Sequence, residues 1–267
     1  MRDNSFLSEI DWNLVKKDYL RIKYRRRLLG RFVPHVEILN SSRVELSEGE
    51  VPIYVPNHVS HLDHFVPPYA IIESGLPFPR SVASLHFKDS LFWRLLKFEK
   101  KGVIWNDREN HSLGYIRDYR SRVLRILNNN GAIFFHPEGK RNRHPERGLG
   151  DFKDAAFKMF FSIEDEIREK GSQRKLVFIC MGLRYDDFPE RNYYNKIGNY
   201  TDSFRYKYWD SYCMAKWLLK THKGAAMVNF GKPIRLCDIG GRNSRDKGKN
   251  ATEAVREGID YLLREMK

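Results

Sequence analysis

Asn57-His58-Val59-Ser60-His61-Leu62-Asp63-His64 sets an imidazole and a carboxylate five positions apart, in a stretch with three histidines, one serine and one acid. An imidazole whose one nitrogen is hydrogen-bonded to a carboxylate has a fixed tautomer, and its other nitrogen is left to act as a general base. His58 and Asp63 are the candidates for that pair. A plainer reading competes with it. Ser60 followed three residues later by Asp63 is a capping-box pattern ahead of the apolar run Phe65 to Ile72, so a helix is expected to start at Ser60. On that reading both polar groups only cap the helix, and His58 is a satisfied loop residue.

The elements that position this cluster follow from the pattern of apolar residues. Val51 to Val55 is β-branched and aromatic and runs into Pro56, the composition of a buried strand that stops at a turn. The polar cluster then lies just beyond a strand end, where open α/β sheets bind ligands. Short strands are expected at Arg80 to Leu85 and Gly102 to Trp105, separated by an amphipathic segment, Asp89 to Phe98. Leu113 to Leu127 carries Ile116, Tyr119, Val123 and Ile126 on one helical face, and residues 128 to 131 close it. Ala132 to Phe135 is an apolar strand. Phe152 to Ile167 is helical again, Leu176 to Leu183 is a buried central strand, Met227 to Ile234 a last strand and Ala251 to Leu263 a final helix. Strands alternating with helices predict an α/β fold: a single domain over residues 41–267 with a central mixed, largely parallel sheet flanked by helices.

Ahead of that domain, residues 1–40 form a basic N-terminal segment in which Trp12, Val15, Tyr19 and Ile22 recur at helical spacing. Eight basic residues and one acid fall between Lys16 and Arg31. Two readings stand: an amphipathic helix lying on an anionic membrane surface, or a helix packed on the core with a solvated basic face. The 48 Lys and Arg against 34 Asp and Glu of the 267 residues give a net charge of +14, which draws polyanions to the protein without naming one. No apolar run approaches the roughly 20 residues that span a bilayer, and Met1 to Leu20 lacks the layout of a secretion signal. A cytoplasmic protein, peripheral on the inner face of the membrane, is the expectation. Cys180, Cys213 and Cys237 are widely spaced and unpaired in pattern, which argues against a disulfide framework or a cysteine metal site. Tyr185 to Tyr212 is polar and unusually aromatic. Such side chains stack on nucleobases, sit at a membrane interface or, more commonly, pack half-buried under an excursion.

Three further pieces follow His58 and Asp63 in order. Phe87-Lys88-Asp89 precedes an apolar helix, Gly102 to Arg108 ends a strand, and Phe135-His136-Pro137-Glu138-Gly139-Lys140-Arg141 ends another. Each carries a cation to the end of an element. Lys88, Arg108 and Arg141 together would hold a phosphate, with Arg supplying a fork of donors and Lys a point charge. Gly139 would let backbone N–H groups approach that phosphate.

Asn57-His58-x-Ser60-x-x-Asp63, Gly102 to Arg108 and Pro137-Glu138-Gly139-x-Arg141 resemble the ordered blocks of the glycerolipid acyltransferase family, the glycerol-3-phosphate and 1-acylglycerol-3-phosphate acyltransferases. Phe230-Gly231-Lys232-Pro233-Ile234 resembles a late segment of that family, so the likeness runs from about Val51 to Ile234. Lys140 stands where the family usually has a small hydroxyl residue, and His136 where an apolar residue is common. Ser60 to Asp63 leans towards the glycerol-3-phosphate enzymes, Pro137 to Gly139 towards the lysophosphatidate enzymes. The resemblance implies an O-acyltransferase of phospholipid synthesis that moves a fatty acyl group to a hydroxyl of glycerol-3-phosphate or lysophosphatidate. It makes His58 the base and Asp63 its partner, with Lys88, Arg108, Glu138, Gly139 and Arg141 binding the acceptor. It implies no cofactor and no metal, only acyl-CoA or acyl carrier protein as donor substrate.

Two other classes read the same residues differently. His58, His61, Asp63 and His64 contain part of a zinc hydrolase pattern, with Val59 standing where the first ligand belongs. The charge and the aromatic stretch suggest a nucleic-acid-binding module, but no specific nucleic-acid motif is present.

Overall fold

The protein is described by a computed structural model covering residues 35–85, 103–107, 109–129, 131–192, 212–213, 215–217, 219–220 and 224–266. The expected N-terminal helix, the segment 89–98, Lys88, Arg108 and most of the aromatic stretch lie outside the described residues.

Seven strands form one sheet: β1 Val36–Leu39, β2 Glu50–Pro56, β3 Pro79–Ser84, β4 Ile104–Asn106, β5 Ala132–Phe134, β6 Lys175–Tyr185 and β7 Ala226–Arg235. Their order is β1-β7-β6-β2-β5-β3-β4, and every neighbouring pair is parallel except β6 with β7. The mixed, largely parallel sheet expected from the alternation is therefore present. β1 pairs with β7 from Val36 to Leu39, so the sheet takes in residues upstream of position 41. Only four residues, VEIL, of which Glu37 is exposed and the other three half-buried, sit too close to the preceding charge for periodicity to mark them.

The helices cover both faces. α1 Val66–Glu73 packs on one side, and α2 Leu113–Asn128, α3 Asp154–Glu169 and α4 Ser244–Glu265 on the other. Side chains alternate across a strand, and β2 shows the result. Tyr54 joins Leu62, Ile71, Phe134 and Phe230 under α1, while Ile53 and Val55 join Val123, Phe157, Phe178 and Val255 under the other three helices. β6 lies inside the sheet between β7 and β2 and is buried without a break from Leu176 to Leu183, as a strand covered on both faces must be.

The helix expected from Ser60 is instead a short 3-10 turn, His61–His64, and α1 begins only at Val66. Pro67 and Pro68 explain the delay: proline fits the first turn of a helix but cannot donate within it. The capping box itself forms, with the Ser60 hydroxyl accepting from Leu62 N–H and Asp63 accepting from Ser60 N–H. So brief a turn carries little dipole.

Candidate active site

β2 and β5 are adjacent and parallel, with Ile53 opposite Ile133 and Tyr54 opposite Phe134. Their carboxyl ends therefore release two loops at one edge of the sheet, His58 to His64 from the first and His136 to Arg141 from the second. Hydrogen bonds join the loops directly. Asn142 N–H donates to the His58 carbonyl at 2.6 Å, and His58 N–H donates to Glu138 Oε2 at 2.7 Å.

His58 Nδ1 lies 2.9 Å from Asp63 Oδ2. That oxygen also accepts from Val59 N–H at 2.6 Å and Ser60 N–H at 2.9 Å, while the Tyr185 hydroxyl donates to Oδ1 at 2.6 Å. Asp63 has no solvent exposure. Burial pushes its carboxyl above the ordinary value, and these donors pull it back towards the ionised form. The two readings of Asp63 thus fall on one carboxylate, which both caps the turn and holds His58 Nδ1. With Nδ1 engaged as a donor, the neutral His58 ring presents Nε2 as a base.

Glu138 serves the backbone. Its two oxygens accept from His58 N–H and from Gly150 N–H at 2.8 Å, and burial pushes its carboxyl up to about 7. Gly150 allows the approach, because a Cβ there would stand 3.2 Å from Glu138 Oε1. Gly139 adopts φ +69° and donates its N–H to the His136 carbonyl, so it makes the turn that brings Glu138 inward. Arg141 is buried and donates from Nη1 to Glu190 Oε1 at 3.0 Å. Glu190, also without exposure, accepts from the Ser60 hydroxyl at 2.7 Å and His61 N–H at 2.8 Å as well. Lys140 is exposed.

Sequence reasoning assigned no role to Tyr185 or Glu190. Both stand more than a hundred residues from the groups they touch, and only the pairing of β2 with β6 brings them near. Asn57 reinforces that pairing, since its side-chain amide exchanges hydrogen bonds with both backbone groups of Leu183. Tyr185 and Phe188 are buried, which places the start of the aromatic stretch in the core. Beside the pair lies a cavity of about 830 Å³, lined among others by Asn57, Val59, Arg184, Tyr185, Phe188 and Leu263.

The zinc-hydrolase ligand set is not assembled. Among the described residues, the metal-capable group whose ligand atoms lie within 4.8 Å of one another is His58, Asp63 and His136, without His61 or His64. The rings of His58 and His136 are stacked, 3.9 Å between centroids and 12° from parallel. A cation ligated by both would have to lie in both ring planes, and near-parallel planes share no such point. His58 Nδ1 is already committed to Asp63.

Comparison with known proteins agrees with this geometry. Residues 36–176, more than half of the chain, match the Acyltransferase family. The chain is similar to a glycerol-3-phosphate acyltransferase of Xanthomonas axonopodis pv. citri (strain 306), 23% identical over 251 residues, covering 92% of this chain and 25% of that protein. It is similar also to the glycerol-3-phosphate acyltransferase of Alteromonas mediterranea, 24% identical over 220 residues, with 79% and 25% covered. The chain thus spans about a quarter of the length of these relatives. Its fold is similar to that of the 1-acyl-sn-glycerophosphate (LPA) acyltransferase PlsC from Thermotoga maritima, with a TM-score of 0.56, 12% identity, and 97% of this chain and 84% of that one covered. On the family match, which spans more than half of its length, the chain belongs to the Acyltransferase family.

Proposed function

We propose that the chain transfers a fatty acyl group from a thioester donor, acyl-CoA or acyl carrier protein, to a hydroxyl of a phosphate-bearing glycerol acceptor, glycerol-3-phosphate or lysophosphatidate. The observation that carries this reading is the buried contact of His58 Nδ1 with Asp63 Oδ2 at 2.9 Å. His58 Nε2 takes the proton of the acceptor hydroxyl as its oxygen attacks the thioester carbonyl, and Asp63 stabilises the imidazolium that results. Collapse of the tetrahedral intermediate breaks the carbon–sulfur bond, and the imidazolium returns its proton to the departing thiolate. No acyl-enzyme forms, because the acceptor is the nucleophile.

Arg141, with Arg108 and Lys88, is the proposed grip on the acceptor phosphate. Glu190 orients the Arg141 guanidinium through Nη1, and Glu138 and Gly139 shape the loop that presents it. The names of the relatives support a phosphate-bearing glycerol acceptor. The net charge of +14 and the basic residues between Lys16 and Arg31 support a peripheral position on an anionic membrane surface, and the same charge suits an acidic carrier protein.

The test is thiol release from an acyl thioester in the presence of glycerol-3-phosphate or lysophosphatidate, for the native protein and His58→Ala. Turnover with one acceptor, and its near-total loss in the variant while acceptor binding persists, is the expected result. Native turnover in His58→Ala would remove the mechanism. Sedimentation with anionic vesicles, weakening as salt is raised, checks the membrane position.

A further inference from the structure

Two phosphate-bearing substrates enter the proposed reaction, and the mechanism gives a cationic grip to the acceptor alone. The cavity of about 830 Å³ offers a second. Arg143, Arg184, Arg191 and Arg264 reach its wall from a loop, from β6, from the segment after β6 and from the end of α4, against two acids, Glu146 and Asp260. Arg141 is no part of that wall. Four guanidinium groups around one concave space concentrate positive potential inside it. Arg184 donates from Nη1 to the Met266 carbonyl at 2.5 Å, and a guanidinium has five N–H donors, so this contact leaves others for a ligand. Arg191 and Arg264 pair with Asp187 and Asp260 at 3.9 and 3.0 Å, near the surface, where such pairs are worth little and yield to a phosphate. The cavity also adjoins the reacting groups. Asn57 and Val59, on either side of His58 in the chain, belong to its wall, as does Tyr185, whose hydroxyl donates to Asp63.

We propose that this cavity seats the phosphate-bearing end of the acyl donor, and that the donor is therefore coenzyme A rather than a carrier protein. This rests on the reading of the chain as an acyltransferase. Coenzyme A carries a diphosphate and a ribose phosphate at the far end of a flexible pantetheine arm, and a space of this volume takes a ligand of that class. A folded carrier protein bears its acidic residues on a convex surface, where arginines inside a cavity do not meet them. Only its arm, poorer in phosphate, would enter. With the nucleotide held at the arginines, the pantetheine arm brings the thioester to His58 while the acceptor phosphate stays at Arg141.

The experiment reads binding first, by calorimetry on the full chain. Free coenzyme A binds the native protein, and pantetheine binds at least about ten-fold more weakly. Arg191→Gln combined with Arg264→Gln, both at exposed positions, weakens coenzyme A about ten-fold and narrows its lead over pantetheine. A salt series gives the same reading without substitution, since affinity for coenzyme A falls as salt is raised and affinity for pantetheine does not. In turnover, the double variant loses about ten-fold in kcat/KM for acyl-CoA through KM, and the preference for acyl-CoA over acyl-pantetheine shrinks by the same factor. Native affinity for coenzyme A in the double variant, or equal affinity for coenzyme A and pantetheine, overturns the proposal. So does a native KM for acyl-CoA in a variant that has lost coenzyme A, because the cavity would then be an anion site apart from the reaction. Turnover of an acyl carrier protein thioester by a native protein that does not bind coenzyme A overturns it too. Binding is read without turnover, so a protein that holds coenzyme A through these arginines but moves no acyl group would sink the proposed function and leave the ligand of the cavity standing.

Discussion

The Tyr185 hydroxyl donates to Asp63 Oδ1 at 2.6 Å, from the side of the carboxylate opposite to the oxygen that holds His58. The His58–Asp63 pair thus extends to a third group on β6, and Asp63 is held at both oxygens. Burial raises the Tyr185 hydroxyl well above its ordinary value, so it remains a donor throughout the working range.

Tyr185→Phe removes that donor and leaves a buried carboxylate oxygen unpaired. The expected cost is about 1–3 kcal/mol of stability, measured by urea unfolding. With one donor fewer, the Asp63 carboxyl takes up a proton more readily, so the acid limb of the rate profile moves to higher pH. An unchanged acid limb would separate Tyr185 from the pair.

Asp63→Asn leaves the shape intact and turns an acceptor oxygen into an amide donor facing three others. His58 then loses its tautomer, and turnover should fall by about 10⁴, the loss seen when the carboxylate of a comparable triad is replaced. Steady-state kinetics beside a circular dichroism spectrum would distinguish this from unfolding.

Glu190 and Arg141 form a buried ion pair, 5% and 0% exposed at the side chains of Arg141 and Glu190 respectively. Glu190→Gln takes the carboxylate charge from this buried guanidinium and should cost about 3–5 kcal/mol. Adding Arg141→Met to Glu190→Gln should recover part of that loss. Strict additivity in a double-mutant cycle would show that the two side chains do not depend on one another.

Glu138 gives a pH dependence with a definite sign. Its folded carboxyl titrates near 7 against an ordinary 4.5, so the folded protein holds this proton more tightly than the unfolded chain. The stability it contributes is complete below about 4.5, falls as pH rises, and is gone above about 7. In Glu138→Gln that decline is absent. The variant's stability relative to the native protein should therefore improve by on the order of 3 kcal/mol between pH 4.5 and 7, then level off. Thermal melts across that range would show it, and a constant difference would refute it.

A metal chelator should leave thioester turnover unchanged. The stacked rings of His58 and His136 cannot share a cation, and Asp63 Oδ2 already accepts three hydrogen bonds. Loss of activity with EDTA, restored by zinc, would revive the hydrolase reading.

Much of the sheet was legible in the sequence because buried strands such as Leu176 to Leu183 are apolar without interruption, and α2 and α3 repeat at helical spacing. β1 escaped because it has only four residues, three half-buried and one exposed, too few to carry a period. His58 and Asp63 were legible because they are near neighbours in the chain, and a local pattern encodes their contact. Glu190 was not, since nothing at position 190 signals a serine 130 residues earlier. Glu138 was found through its motif, yet its partners are the amides of His58 and Gly150, and backbone groups leave no mark in composition.

Tyr185 and Glu190 both lie beyond residue 176, where the family match ends. A polypeptide stopping there, even as it left the ribosome, would possess the blocks from Asn57 to Arg141 and still lack the two side chains that clamp Asp63 and Ser60. Activity should accordingly appear late in biosynthesis, when β6 has threaded between β7 and β2, and a truncated product would be inert towards thioesters instead of a premature hydrolase.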